Sequence, residues 1–147
     1  MTVIHYWEVS IMSSVLAIVG VSEFTNYETF KQKITDYTAR FCPQITTIVS
    51  TVGVGTNSMA EIYAKEKSIT FKKLEPDTKT YGHLAPLVIN NEITTMSTHV
   101  VVFWDKKNKV ISDLRDKVLN KRKNLMTFNY VPDPVKPETK QCPKPKL

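Results

Sequence analysis

The chain has 147 residues and 41% hydrophobic content, which fits one domain with one core and excludes a disordered protein. Its longest apolar run, Ser10 to Val21, holds three serines and Gly20, and falls short of the roughly 18 to 20 residues that a membrane span needs. The net charge of +6 is local, because residues 106–123 carry eight cations against Asp113 and Asp116 while the rest of the chain is balanced.

The leader "MTVIHYWEVSI" precedes a second methionine, Met12, and reads either as a short extra strand or as an extension ahead of a domain. It has no Lys or Arg in its first ten residues, so it lacks the basic n-region of a signal peptide, and a cytoplasmic location is expected. "SVLAIVG" is a buried-strand run closed by Gly20. Asn26 then caps a helix with Tyr27, Phe30, Ile34, Tyr37 and Phe41 at helical spacing, and Pro43 ends it. "ITTIVST" is a β-branched second strand. The next helix is expected to start near Asn57 or Ser58, with Ser58 and Glu61 as a capping box and Met59, Ile62 and Tyr63 inward.

"SITFKKL" is a third, shorter strand, and the loop "EPDTKTYGH" follows it. A helix with Pro86 in its first turns then places Ile89, Ile93 and Met96 on one face. "HVVVFWD" is the fourth strand. A basic helix carries Ile111, Leu114 and Val118 at core spacing, and "LMTFNY" closes the sheet. The tail "PDPVKPETKQCPKPKL" holds five of the eight prolines and is expected to be extended. The division is therefore an extension (1–12), a domain (13–130) and a tail (131–147).

Strands alternating with helices of about 10 to 15 residues predict βαβ units. The expected fold is α/β, a Rossmann-like three-layer sandwich with a mainly parallel sheet of about five strands. Ligands of such sheets bind outside the carboxyl ends of the strands. The segments expected there are 20–25, 51–57, 75–83 and 104–109.

Within 51–57, Gly53 and Gly55 permit a tight turn before a helix, whose free N–H groups and positive end suit an anion. Thr56, Asn57 and Ser58 add short polar side chains. The stretch has neither the lysine of a P-loop nor G-x-G-x-x-G spacing, since residue 58 is serine. Trp104 and Asp105 at a strand end offer a stacking face and a ribose contact; equally, Trp104 covers the core edge and Asp105 caps the next turn. Tyr81 contacts a ligand or packs over the sheet edge. Lys106, Lys107 and Lys109 stand at the crevice rim. Arg115, Lys117, Lys121, Arg122 and Lys123 extend the basic surface, which is either a solvated helix face or a seat for an anionic partner. The far cluster lies about 18 Å from the rim at 1.5 Å per residue, too far for one small ligand to use both.

Two cysteines without C-x-x-C spacing, and the scattered His5, His83 and His99, give no metal or Ser-His-Asp pattern. No metal and no cofactor are expected.

The stretch 50–66 resembles the YspA/YpsA-related branch of the SLOG superfamily, the Rossmannoid group that includes DprA and LOG proteins. Members read like S-G-G-A-x-G-A-D-x-L-A-x-x-Y-A. Ser50, Gly55, Ser58, Ala60, Tyr63, Ala64 and Glu66 fall in step, with Asn57 at the usual aspartate. "PDTKTYG" matches through Asp77, Tyr81 and Gly82, "INNEI" through Asn90, and "VVVFWD" through Phe103, Trp104 and Asp105. The likeness runs over about residues 15–130.

The departures fall on the groups that would hold a phosphate. Thr51 and Val52 replace a glycine pair, Val54 and Ile89 replace arginines, and Ser22 or Glu23 stands at the opening arginine. "DKKNKVIS" has lost a glycine-containing turn. The glutamate that LOG-type phosphoribohydrolases need after their glycine motif is absent, with Ser58 and Met59 in its place and Glu61 too far along.

The resemblance implies a divergent, non-catalytic domain that binds a nucleotide-derived ligand as sensor, sequestering protein or regulator, in the manner of a phage accessory protein. The alternative is an interaction protein whose basic helix meets nucleic acid or an acidic protein, and a homo-oligomer fits either. A residual hydrolase would have to use Glu92 or Asp105 as base, and the sequence shows no nucleophile paired with either.

Overall fold

A computed structural model describes residues 14–130. The leader with Met12 and the tail with Cys142 lie outside the described residues. In chain order the elements are β1 (Ser14–Gly20), α1 (Tyr27–Phe41), β2 (Ile45–Thr51), α2 (Thr56–Glu66), β3 (Thr70–Leu74), α3 (Thr78–Tyr81), α4 (Ala85–Met96), β4 (His99–Trp104), α5 (Lys109–Asn120) and β5 (Asn124–Asn129). A 3-10 turn, Gly82–Leu84, joins α3 to α4.

All five strands pair in parallel, in the order β3-β2-β1-β4-β5. The chain winds outward from β1 to β3, then returns past β1 to β4. With right-handed crossovers, this reversal puts α1 and α2 on one face and α4 and α5 on the other. The contacts agree, since α1 packs with α2 and α4 with α5. The result is the expected α/β three-layer, Rossmann-like sandwich.

The core sits where the periodicities place it. Leu16, Ile18, Ile48, Val100 and Val102 are fully buried on the central strands, with Phe30 and Ile34 of α1 and Leu114 and Val118 of α5 closing on them. Asn26 caps α1 by accepting from the Thr29 N–H at 3.1 Å. In the loop after β3, Asp77 accepts from the Thr80 N–H at 3.1 Å and turns Thr78–Tyr81 into a short helix that its polar sequence had hidden.

α2 departs from expectation in two ways. It starts at Thr56, and no Ser58–Glu61 capping box forms: Ser58 Oγ donates to the Gly55 carbonyl, while Glu61 pairs with Lys73 at 3.3 Å. Its inward face is Met59, Ala60, Tyr63 and Ala64, leaving Ile62 exposed. Both follow from Gly55, whose positive φ lets the turn close early and sets the phase of the helix.

His99 opens β4 at the amino end of the sheet, edge-on to the Tyr37 ring and half-buried. Burial lowers its pKa, although the Phe41 carbonyl works the other way. The unfolded chain therefore binds the proton more tightly, so this residue's contribution is present above the unfolded pKa of about 6.5 and is lost as pH falls below it. His99→Gln is expected to flatten that loss. Urea denaturation of both proteins at about pH 7.5 and about pH 5.5 checks it, and an equal acid loss in the variant would refute it.

Candidate functional site

At the carboxyl end of β2, Gly53 and Gly55 both have positive φ, 145° and 70°. The turn they make presses against the loop after β1. A Cβ on Gly55 would lie 2.2 Å from the Ser22 carbonyl oxygen, so that contact requires glycine. Thr56 is fully buried and binds the Val21 carbonyl with its hydroxyl at 2.9 Å and its N–H at 3.4 Å. Asn57 accepts from the Gly20 N–H and donates to the Val52 carbonyl, both at 3.3 Å. Thus Thr56, Asn57 and Ser58 use their side chains to hold the turn together. The first-turn N–H groups of Asn57 and Ser58 have no partner among the described residues. Val52 and Val54 form its exposed rim, Val54 at 68% exposure.

The β4 end is similarly tied. Trp104 donates its indole N–H to the Asn108 carbonyl at 2.9 Å, and the Arg115 guanidinium covers one face of its ring, 4.5 Å from the centroid. Asp105 accepts from the N–H groups of Lys107 and Asn108 at 2.8 and 2.9 Å, which hold its carboxyl below the ordinary carboxylate range. Asp105 therefore caps the turn into α5, while Asn108 caps the helix itself. Lys106, Lys107 and Lys109 remain at this end and take part in no ion pair among the described residues.

Asn90 is 2% exposed, and its amide donates to the Val110 carbonyl and to Asp113, joining α4 to α5. Tyr81 is exposed on the loop after β3. Asn90, expected as a ligand residue, is thus buried between α4 and α5 away from any strand end; the other expected residues follow β2, β3 and β4, and several of their polar groups are spent on the fold.

The basic helix is also partly engaged. Arg115 donates to Thr127 as well as covering Trp104. Lys117 pairs with Asp113 at 2.6 Å and donates to the Leu87 carbonyl. Lys123 reaches back to the end of α4 and donates to the carbonyls of Thr94, Thr95 and Ser97, completing that helix's C-terminus. The stripe is broken into a rim cluster (Lys106, Lys107, Lys109) and the pair Lys121 and Arg122.

A groove that the sequence reading passed over lies beside the carboxyl ends of β1, β4 and β5 and holds about 470 Å3. Phe24, Asn26, Thr29, Lys33, Phe128 and Tyr130 are among its walls. Phe24 stacks on Phe103 at 5.0 Å and meets Tyr130 at 5.6 Å, and Phe103 stacks on Phe128 at 5.2 Å. Lys33 stands 4.9 Å over the Phe128 ring. The signals were the aromatics of "SEFTNY" and "FNY", but only the strand order brings those two segments together.

Among the described residues no group of three or more His, Cys, Asp or Glu could hold a metal ion, and no helix is long and apolar enough to cross a membrane. Strand order and strand-end turns define a doubly wound, Rossmann-like α/β domain. No family model, no curated protein and no solved structure matches this chain.

Proposed function

We propose that this chain is a divergent SLOG-like domain that binds a nucleotide-derived ligand at the carboxyl ends of its strands without catalysing a reaction on it. The observation that carries the reading is the turn before α2. Two unpaired helix N–H groups stand at the carboxyl end of a doubly wound sheet, with no carboxylate anywhere in residues 48–60. A phosphate there is held by main chain, not by the side chains of Thr56, Asn57 and Ser58. Lys106, Lys107 and Lys109 add counter-charge from the β4 end, and the aromatic groove offers nearby room for a flat ring. The basic-helix alternative draws less support, since Arg115, Lys117 and Lys123 already serve the fold.

A panel of nucleotides and cyclic dinucleotides at millimolar concentration tests the reading by thermal shift. A ligand present at about tenfold its Kd stabilises by about 1.4 kcal/mol, an upward shift of several degrees. Val54→Glu puts a negative charge on the exposed tip of the turn without touching the core, and is expected to abolish the shift while leaving the unliganded Tm within about 2 °C. No shift with any member of the panel would defeat the reading.

A further inference from the structure

The groove beside the carboxyl ends of β1, β4 and β5 is walled by aromatic rings and carries one charge of each sign. Phe128 and Tyr130 alternate on one face of β5 and its continuation, about 7 Å apart along the strand, and the Tyr130 N–H still bonds β4. Both rings are half-buried. Beside the first stands Lys33, its ammonium 4.9 Å from the ring centre. Beside the second stands Glu23, because the Tyr130 hydroxyl donates to the Glu23 carbonyl at 3.3 Å.

The two charges lie at opposite ends. Glu23 follows β1 at the strand ends, whereas Lys33 is seven residues beyond the Asn26 cap, about 10 Å down α1 at 1.5 Å per residue. Neither has an ion-pair partner among the described residues. The groove's other polar walls, such as Asn26 and Thr29, are neutral. An acceptor at one end, a cation at the other and rings between them suit a flat heterocycle with hydrogen-bond donors on one edge and acceptors on its far side.

We propose that this groove reads the base of the nucleotide and that the base is guanine, an inference that rests on the nucleotide-binding function proposed above. Guanine carries two adjacent donors, N1–H and the 2-amino group, and presents the acceptors O6 and N7 towards its other side. Glu23 accepts from the donor edge, Lys33 donates to the acceptors, and the ring lies against Tyr130. The stacking serves any base, so the two charges carry the choice. Adenine would turn its N1 lone pair towards the Glu23 carboxylate, and pyrimidines have no N7 to meet Lys33.

Titration calorimetry of the full chain with the monophosphates of guanosine, inosine and adenosine tests the proposal. Guanosine monophosphate is expected to bind on the order of tenfold or more tighter than adenosine monophosphate, with inosine monophosphate, which lacks the 2-amino group, between them. Glu23→Gln is expected to shrink that preference to about threefold or less, and Lys33→Met to weaken guanosine monophosphate on the order of tenfold. Both residues lie outside the core, so both variants are expected to keep a native circular dichroism spectrum. Val54→Glu, at the phosphate turn, is expected to weaken all three ligands alike and leave their ratio unchanged. Equal affinity for guanosine and adenosine monophosphates, or a preference that Glu23→Gln leaves intact, would overturn the guanine assignment while nucleotide binding stands. No binding of any of the three at millimolar concentration would overturn both.

Discussion

Gly55→Ala is expected to destabilise the domain by at least about 3 kcal/mol, measured by urea denaturation monitored by circular dichroism. Two costs combine. The residue sits at φ 70° and ψ −125°, a region closed to L side chains at roughly 1 to 3 kcal/mol. The new methyl would also stand 2.2 Å from the Ser22 carbonyl oxygen, which is main chain and cannot rotate away. Relief would require parting the β1 loop from α2, which would break both bonds from Thr56 to the Val21 carbonyl. Gly82→Ala separates the two costs. Gly82 has a similar backbone, φ 56° and ψ −133°, but open space where its Cβ would go. It is expected to lose the strain alone, about 1 to 3 kcal/mol. Equal losses at the two glycines would mean that the contact with Ser22 is unimportant.

Phe103→Ala is expected to cost about 3 to 5 kcal/mol, the range for emptying a buried aromatic site. Phe103 is 2% exposed and lies at the centre of the aromatic cluster, with Phe24, Phe30 and Phe128 all within 5.4 Å between ring centroids. It also forms part of the floor of the strand-end groove. Phe103→Leu, which keeps an apolar floor, is expected to lose clearly less. If leucine cost as much as alanine, the ring contacts would carry the whole effect and an apolar filling of the site would add nothing.

The fold was legible because its signals are local. Phe30, Ile34 and Tyr37 recur at helical spacing, as do Ile111, Leu114 and Val118, and both sets are buried. The β-branched runs at 45–51 and 99–104 became strands. The candidate site was legible only in outline, because the roles of its side chains depend on distant neighbours. Asn57 looks like a ligand contact until the Gly20 N–H, 37 residues earlier, is placed beside it. Trp104 looks like a free stacking face until Arg115 is laid over it. Lys123 looks like surface charge, yet its partners are carbonyls 26 to 29 residues upstream. The groove between α1 and β5 depends on strand order, which no local pattern encodes.

The position of β1 in the sheet also governs how the chain can be assembled during synthesis. β1 is the first strand described and the middle one in space, paired with β2 on one side and β4 on the other. Thr98, just ahead of β4, binds Val15 of β1 and lies 83 residues further on. Until that stretch leaves the ribosome, one side of β1 has no native partner, although Leu16 and Ile18 are among the most buried residues of the finished core. The β1–β2–β3 half can pair as it emerges, but closing the sheet must wait for more than half the chain.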